Sequence, residues 1–107
     1  MITIVSRSSN FAFHFTDSSG YTGFHSVPFS SLQACMEAIY CFKLQAVSRE
    51  GYERRVQDDG LYRINLYDGQ RRLLAVCANL RSVNQREAII ERVMAEVTNA
   101  PIQETLT

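Results

Sequence analysis

The chain has two histidines, His14 and His25, and their spacing can bring both imidazole rings to one face of a β-hairpin. His14 lies in the strictly alternating segment FAFHFT, and His25 lies in the next apolar segment, beyond a turn at residues 17–20. If Thr16 pairs with Tyr21, the histidines are diagonal neighbours about 7–8 Å apart at Cα. Two imidazoles at that separation can bind a metal ion or titrate together.

The rest of the sequence offers little to complete a metal site at these histidines. A structural zinc site uses four ligands. Neither a cysteine nor a carboxylate is placed beside the pair, because Asp17 belongs to the turn. The simpler interpretation is two partly exposed histidines on the outer face of a sheet. The alternative is a ligand- or metal-binding face formed by His14, His25 and Arg63, without an assigned metal.

The three cysteines, Cys35, Cys41 and Cys77, indicate packing and not catalysis. Their odd number and the lack of a CxxC spacing are typical of a reducing compartment. Cys35 and Cys41 lie about 120° apart around one predicted helix, with Cys35 towards the core and Cys41 away from it. Common hydrolase, phosphate-loop and zinc-protease motifs do not occur in the sequence. We therefore expect a protein that is not an enzyme and uses no cofactor.

Arginines are concentrated in the predicted strands of the second half. They are Arg54, Arg55, Arg63, Arg71, Arg72 and Arg81. Arginine beside tyrosine on a sheet can hold single-stranded nucleic acid. Acidic residues such as Glu53 and Asp68 are interleaved, and cross-strand ion pairs would take up the positive charge. The 11 basic and 11 acidic residues balance, so nucleic acid is an unlikely partner.

The element with the most informative pattern is a helix predicted over residues 29–47. Ser30 and Ser31 are suitable N-caps, with Gln33 at a capping-box spacing from Ser30. One apolar stripe consists of Leu32, Cys35, Ile39, Phe42 and Ala46, and a second of Met36, Tyr40, Leu44 and Val47. Together they span an arc of roughly 200°, about twice what an ordinary surface helix buries. The second stripe is therefore expected to be covered by another surface.

Charge is unevenly distributed along the chain. Residues 1–48 carry only Arg7, Asp17, Glu37 and Lys43, which fits either a covered surface or closeness to the core. The composition, 46% hydrophobic and 21% charged, is typical of a single soluble domain over residues 1–107. We find no basic start followed by an apolar run and no segment of membrane-spanning length, so we expect a cytoplasmic protein without membrane attachment.

The order of predicted elements is strand, strand, strand, helix, twice over. The halves superpose without gaps at a shift of 51 residues, which places Asp17 on Asp68 and Ser31 on Ser82. We therefore predict an α+β fold of two βββα repeats, residues 1–48 and 52–99, forming one antiparallel sheet with two helices packed on one face. The tail at residues 100–107 either adds a strand or covers the first helix.

This pattern resembles the YegP-like family of small tandem-repeat proteins. The resemblance is carried by NFAFHFTDSSG and SSLQACMEAI in the first half, and by YERRVQDDGLYRINLYDGQ and RSVNQREAIIERV in the second. It covers roughly residues 2–99, and departs where Phe29 and Leu80 stand at a position that is usually tyrosine in the family. The resemblance implies a continuous sheet from two repeats, with single-repeat members pairing as dimers. It brings no catalytic residues.

The sequence thus predicts a non-catalytic interaction module. Its first helix, through Met36, Tyr40, Leu44 and Val47, would contact a second copy in a homodimer or another protein. The alternative is ligand or metal binding on the outer sheet face near His14, His25 and Arg63. Weak binding of single-stranded nucleic acid is the third hypothesis.

Overall fold

The computed structural model describes residues 1–105, which form seven β-strands and two α-helices. The strands are β1 (Ile2–Arg7), β2 (Asn10–Thr16), β3 (Thr22–Ser26), β4 (Tyr52–Val56), β5 (Tyr62–Tyr67), β6 (Leu73–Leu80) and β7 (Ile102–Thr105). The helices are α1 (Leu32–Ala46) and α2 (Val83–Glu96), and a 3-10 turn at Arg49–Gly51 follows α1. Over residues 1–105, both α1 and α2 lack the length and apolar character that a bilayer span requires.

All strands belong to one sheet, in the order β4-β5-β6-β3-β2-β1-β7. The predicted α+β class, with one sheet and both helices on one face, is confirmed. The prediction of a wholly antiparallel sheet needs one correction, because β7 runs parallel to β1 with Ile102 beside Ile2. The sheet is therefore mixed, and the tail adds a strand. The last two residues of the predicted tail, 106 and 107, lie outside the described residues.

The halves of the chain meet at the centre of the sheet, where β3 pairs with β6. The helices α1 and α2 begin 51 positions apart, at Leu32 and Val83. This agrees with the shift that aligns the two halves of the sequence. The interpretation of residues 1–48 and 52–99 as a duplicated unit stays a prediction.

The core lies between the sheet and the helices. Strict alternation in β2 sends Phe13 and Phe15 to the covered face, where both are 1% exposed. Phe24 of β3 joins them, and all three rings pack on Phe42 of α1 at centroid distances of 5.3, 6.3 and 5.8 Å. This aromatic cluster fixes which face of α1 points inward, and therefore which residues remain outside.

The first helix begins one residue later than its strongest sequence signal. Ser31, and not Ser30, is the N-cap, and its hydroxyl accepts the Ala34 N–H at 3.0 Å. The reason lies in Phe29, which exchanges two backbone hydrogen bonds with Phe11, at 2.7 and 2.8 Å. This bridge keeps the chain extended up to the cap.

Ser82, which the shift of 51 residues aligns with Ser31, is the N-cap of the second helix. The Ser82 hydroxyl accepts the Gln85 N–H at 3.0 Å. The Gln85 side chain in turn accepts the N–H of Arg81, the residue before the cap, at 2.8 Å. The Gln85 N–H is one of the donors that a helix start leaves unpaired, and the Gln85 side chain adds a bond to the residue before the cap.

Candidate functional site

Three apolar side chains in the C-terminal half of α1 face solvent. Tyr40 is 57% exposed, Leu44 74% and Val47 45%. We call these three residues the α1 patch. With Lys43 and Thr98 they line a shallow, mainly apolar groove of about 450 Å³. Met36, the fourth member of the predicted stripe, is half-buried and packs against the core, so it borders the patch and is not a free part of it.

Lys43 is the one charged side chain that lines this groove in the described chain, and it is turned away from the patch. Its ammonium group donates to the carbonyl oxygen of Ala100 at 2.8 Å and approaches that of Thr98 at 3.5 Å. Both carbonyls lie just beyond the C-terminus of α2, where the helix dipole favours a cation. The contact ties α1 to the end of α2 and holds the Lys43 ammonium group against the carbonyls at that end.

As far as Thr105, the last described residue, the tail does not cover the α1 patch. Ile2 donates its N–H to the carbonyl of Pro101 at 2.8 Å, which starts the pairing of β1 with β7. Residues as far as Thr105 therefore lie along the β1 edge of the sheet. The sequence left open whether the second stripe of α1 is covered by the tail or by another molecule. The position of the tail disfavours cover by the tail.

On the uncovered face of the sheet, which we call the outer face, His14 and His25 lie directly opposite each other on β2 and β3. Their ring centroids are 5.9 Å apart, with 49° between the ring planes. The predicted diagonal arrangement is wrong, and the pair is closer than expected. His14 is half-buried and His25 is exposed.

The closer pairing has two causes: Thr16 pairs one residue further along than predicted, with Thr22, and a β-bulge lies at Gly23. Thr16 pairs with Thr22 but Phe15 pairs with Phe24, so Gly23 is an extra residue in β3. A side chain there would meet the Tyr21 ring at 2.8 Å and the Cys77 sulfur at 3.3 Å. Glycine therefore permits the bulge, and the bulge moves His25 one place along β3 to face His14.

A cleft of about 550 Å³ opens next to the histidines. It forms because β3 diverges from β2 after His25, where the Phe13 N–H donates to the Ser26 hydroxyl at 2.8 Å and not to a backbone carbonyl. The cleft has apolar walls that include Val5, Phe11 and Pro28, and polar positions at Arg7, Asn10, His14, Thr22, His25 and Ser26. Among the described residues, its lining includes no acidic side chain.

The surroundings of His14 in the cleft change the pKa of its imidazole. Burial, with a smaller contribution from the charge of His25, lowers the pKa of His14 below its usual value of 6.5. The neutral imidazole is therefore favoured at neutral pH, and a neutral ring nitrogen has a lone pair for a ligand.

Arg63 is not brought to these histidines. It lies on β5, opposite Arg55 of β4, and its Nε donates to the Asn65 side-chain oxygen at 2.8 Å. Arg63 and Asn65 line a separate polar groove at the other end of the sheet. The predicted grouping of His14, His25 and Arg63 thus divides into two surfaces, since β6 separates β5 from β3.

A polar network near Arg63 was not anticipated from the sequence. One oxygen of Glu53 accepts from the Asn65 amide at 2.9 Å and the Tyr67 hydroxyl at 2.9 Å. Arg55 pairs with the same carboxylate at 3.1 Å. Hydrogen bonding from Arg55, then from Asn65 and Tyr67, lowers the pKa of Glu53 to about 2. The register of β4 and β5 creates this network, and no spacing within either strand signals it.

Most of the arginine charge of the second half is engaged by carboxylates. The ion pairs among residues 1–105 are Arg49–Glu91, Arg54–Glu87, Arg55–Glu53, Arg72–Asp68, Arg86–Glu87 and Arg92–Asp17. Such pairing reduces the positive field that a nucleic acid would require.

All three cysteines are free thiols. Cys35 and Cys77 are buried, and burial raises the pKa of each thiol to about 11. Cys41 is half-buried against the core, so the expectation that it points away from the core is wrong. Within residues 1–105, no three histidine, cysteine, aspartate or glutamate side chains come together as a metal site.

Solved structures share this fold. The NMR structure of the UPF0339 protein SO3888 from Shewanella oneidensis covers 98% of this chain and 90% of its own, with a TM-score of 0.91 and 16% identity. That of yegP from E. coli, a protein of unknown function, covers 98% and 91%, with a TM-score of 0.91 and 19% identity. No family model and no curated protein matches the chain. At these identities the likeness establishes a fold shared with YegP and UPF0339 structures.

Proposed function

We propose that this protein is a non-catalytic interaction module that associates with a second copy of itself through the α1 patch. The observation that carries the proposal is the exposure of Tyr40, Leu44 and Val47 on one helix face, with the neighbouring Lys43 engaged elsewhere. Their combined exposed area is roughly 300 Å², the size of the apolar patches that are often functional on monomers.

A second copy fits this surface because the three side chains of the patch are themselves uncharged, and the ammonium group of Lys43 is hydrogen-bonded to the carbonyl of Ala100. An isologous interface sets one surface against its own copy about a twofold axis, so an unpaired charge close to the axis would face a like charge. The patch avoids that repulsion. Since a stable dimer buries roughly 800 Å² per partner, the patch would form only the centre of the interface, and the dimer would be weak and dependent on concentration.

The edges of the sheet are poorer surfaces for association. The edge strand β4 carries Glu53, Arg54 and Arg55 in succession, and charged side chains discourage pairing with another strand. The other edge, β7, is four residues long and mostly polar. Association by sheet extension is thus less favoured than association through α1.

The test is sedimentation equilibrium of the double variant Tyr40→Glu/Leu44→Glu. We expect the wild-type chain to self-associate and the variant to stay monomeric, because four carboxylates would face one another across the twofold axis. The matched control is Val56→Glu/Val83→Glu, which charges two side chains that are 65% and 44% exposed outside the patch.

The control should self-associate as the wild type does, and both double variants should retain the wild-type circular dichroism spectrum. A folded Tyr40→Glu/Leu44→Glu chain that associates like the wild type would contradict the proposal.

A second candidate function is binding of a small ligand or ion on the outer face. The cross-strand histidine pair beside a cleft supports it, whereas the distance of Arg63 from that pair removes one predicted participant. Nucleic-acid binding is the least supported of the three hypotheses, because so many arginines are paired with carboxylates.

A further inference from the structure

The geometry of the histidine pair is close to that of two ligands on one metal ion. Imidazole nitrogens bind zinc at roughly 2.0–2.1 Å, which sets the two ring centroids of a tetrahedral site roughly 5 Å apart. The rings of His14 and His25 are 5.9 Å apart in this structure. Binding of one ion by both rings would require their centroids to approach by roughly 1 Å.

The backbone that carries the pair is firmly positioned. Both β2 and β3 are interior strands of the sheet, and β2 pairs on its other side with β1, where Thr3 lies opposite His14. On the far side of His25, Val76 of β6 is the direct neighbour. The bulge at Gly23 fixes the register that makes the histidines face each other. The pair is therefore organised before any ion binds.

The surroundings favour a particular class of ion. No carboxylate lines the adjoining cleft in the described chain, and hard cations such as magnesium and calcium require oxygen ligands. Neutral imidazole nitrogens suit the later first-row divalent ions, with copper and zinc bound more tightly than manganese or iron. Arg7 lines the same cleft, and its backbone lies four residues along β1 from Thr3, roughly 13 Å away.

We propose that His14 and His25 form a two-imidazole clamp for one divalent transition-metal ion, with zinc or copper preferred and water completing the coordination. This site lies on the outer face of the sheet, whereas the α1 patch lies on the helical side, so it goes beyond self-association and does not depend on it. The cleft of about 550 Å³ leaves room for coordinated water or for a small ligand bound to the ion.

The test uses the whole chain without an affinity tag. Because the sequence has two histidines, its imidazole NMR signals report on these side chains alone. Titration with zinc chloride should shift the signals of both rings together and saturate at one ion per chain, and magnesium chloride should shift neither. By calorimetry, His14→Ala and His25→Ala should each weaken zinc binding at least tenfold.

The control is Cys41→Ser, which removes the most accessible thiol and should leave zinc binding unchanged. Signals that do not move in millimolar zinc would overturn the proposal. So would saturation at half an ion per chain, loss of binding in Cys41→Ser, or either alanine variant binding zinc within threefold of the wild type. Since both histidines lie on the outer face, the alanine variants should keep the wild-type melting temperature, which separates loss of the site from loss of the fold.

Discussion

The helices α1 and α2 occupy corresponding places in the chain order, yet they present different surfaces to solvent. At a shift of 51 residues, the buried Ile39 and Phe42 of α1 correspond to the buried Ile90 and Val93 of α2. The residues of the α1 patch, Tyr40, Leu44 and Val47, correspond to Glu91, Ala95 and Thr98, all exposed. The inward faces therefore agree, and the outward faces do not.

This difference indicates that the apolar outward face of α1 is not a requirement of the fold. The outward face of α2 is polar in an equivalent position, and Glu91 and Glu87 form ion pairs with Arg49 and Arg54. A helix in this architecture can thus pack on the sheet with a polar exterior. The exposed apolar residues of α1 need another explanation, and the proposed self-association would be one.

The helices also end differently. The chain leaves α1 through a tight turn, and the Tyr52 hydroxyl donates to the carbonyl of Ala46 at 2.6 Å. The end of α2 is held by Lys43 and by the turn at residues 17–20, where the N–H and hydroxyl of Ser18 donate to Glu96 at 2.8 Å. The C-terminal end of α1 is held by the segment that follows it into the sheet. The C-terminal end of α2 is held by residues from the first half of the sequence.

The largest expected effect on stability follows from the turn after α1. A Cβ atom at Gly51 would overlap the backbone carbonyl oxygen of Gln45, so Gly51→Ala must displace the end of α1. We expect a loss of roughly 2 kcal/mol or more in the free energy of unfolding, comparable to overpacking a core. Urea denaturation followed by circular dichroism measures it.

The matched control is Gly69→Ala, since the space around a Cβ at Gly69 is open to at least 4 Å. It should leave the free energy of unfolding within about 0.5 kcal/mol of the wild type. Equal losses in the two variants would show that the tight turn does not hold the end of α1.

A smaller effect is expected at the link between α2 and β4. Two nitrogens of Arg54 donate to the two oxygens of Glu87, at 3.0 and 3.1 Å. Hydrogen bonding from Arg54 lowers the pKa of Glu87 from 4.5 to about 2. Because the folded-state pKa is the lower one, the stabilisation is present above pH 4.5 and is lost as the pH falls towards 2.

We therefore expect Glu87→Gln to lower the melting temperature at pH 7. Near pH 2, the folded-state pKa of Glu87, it should have little effect. The pair is partly exposed to solvent, so the loss at pH 7 should stay below about 1 kcal/mol. Glu37→Gln, on the exposed side of α1, is the control and should leave the melting temperature nearly unchanged. If Glu87→Gln lowers the melting temperature by the same amount at both pH values, the ion pair is not the cause of the loss.

The sequence predicts the order of elements well because the alternation of β2 and the caps of both helices are local signals. It offers both Ser30 and Ser31 as caps of α1 and does not choose between them, since the bridge between Phe29 and Phe11 that favours Ser31 joins residues that are distant in sequence. The bulge at Gly23 is missed for a related reason. A glycine within a run of strand-forming residues does not show which residue of the paired strand will lie opposite it, or whether it will be left unpaired in a bulge.

The candidate site is only partly predictable. The exposure of Tyr40, Leu44 and Val47 follows from helical periodicity, because Phe42 and Ile39 fix the inward face. The separation of Arg63 from the histidines depends on strand order, which joins β3 to β6 and not to β5. Periodicity within a strand assigns a face of the sheet, whereas strand order decides which residues on that face meet.

The most direct test of the central claim exchanges the outward face of α1 for that of α2. The triple variant Tyr40→Glu, Leu44→Ala and Val47→Thr carries the residues found at Glu91, Ala95 and Thr98. Light scattering coupled to size exclusion would follow its mass and that of the wild type across a range of concentrations. We predict that the wild type approaches twice the chain mass of 12.2 kDa, while the triple variant remains a folded monomer. A wild type that is monomeric throughout, or a folded triple variant that dimerises equally, would contradict the account.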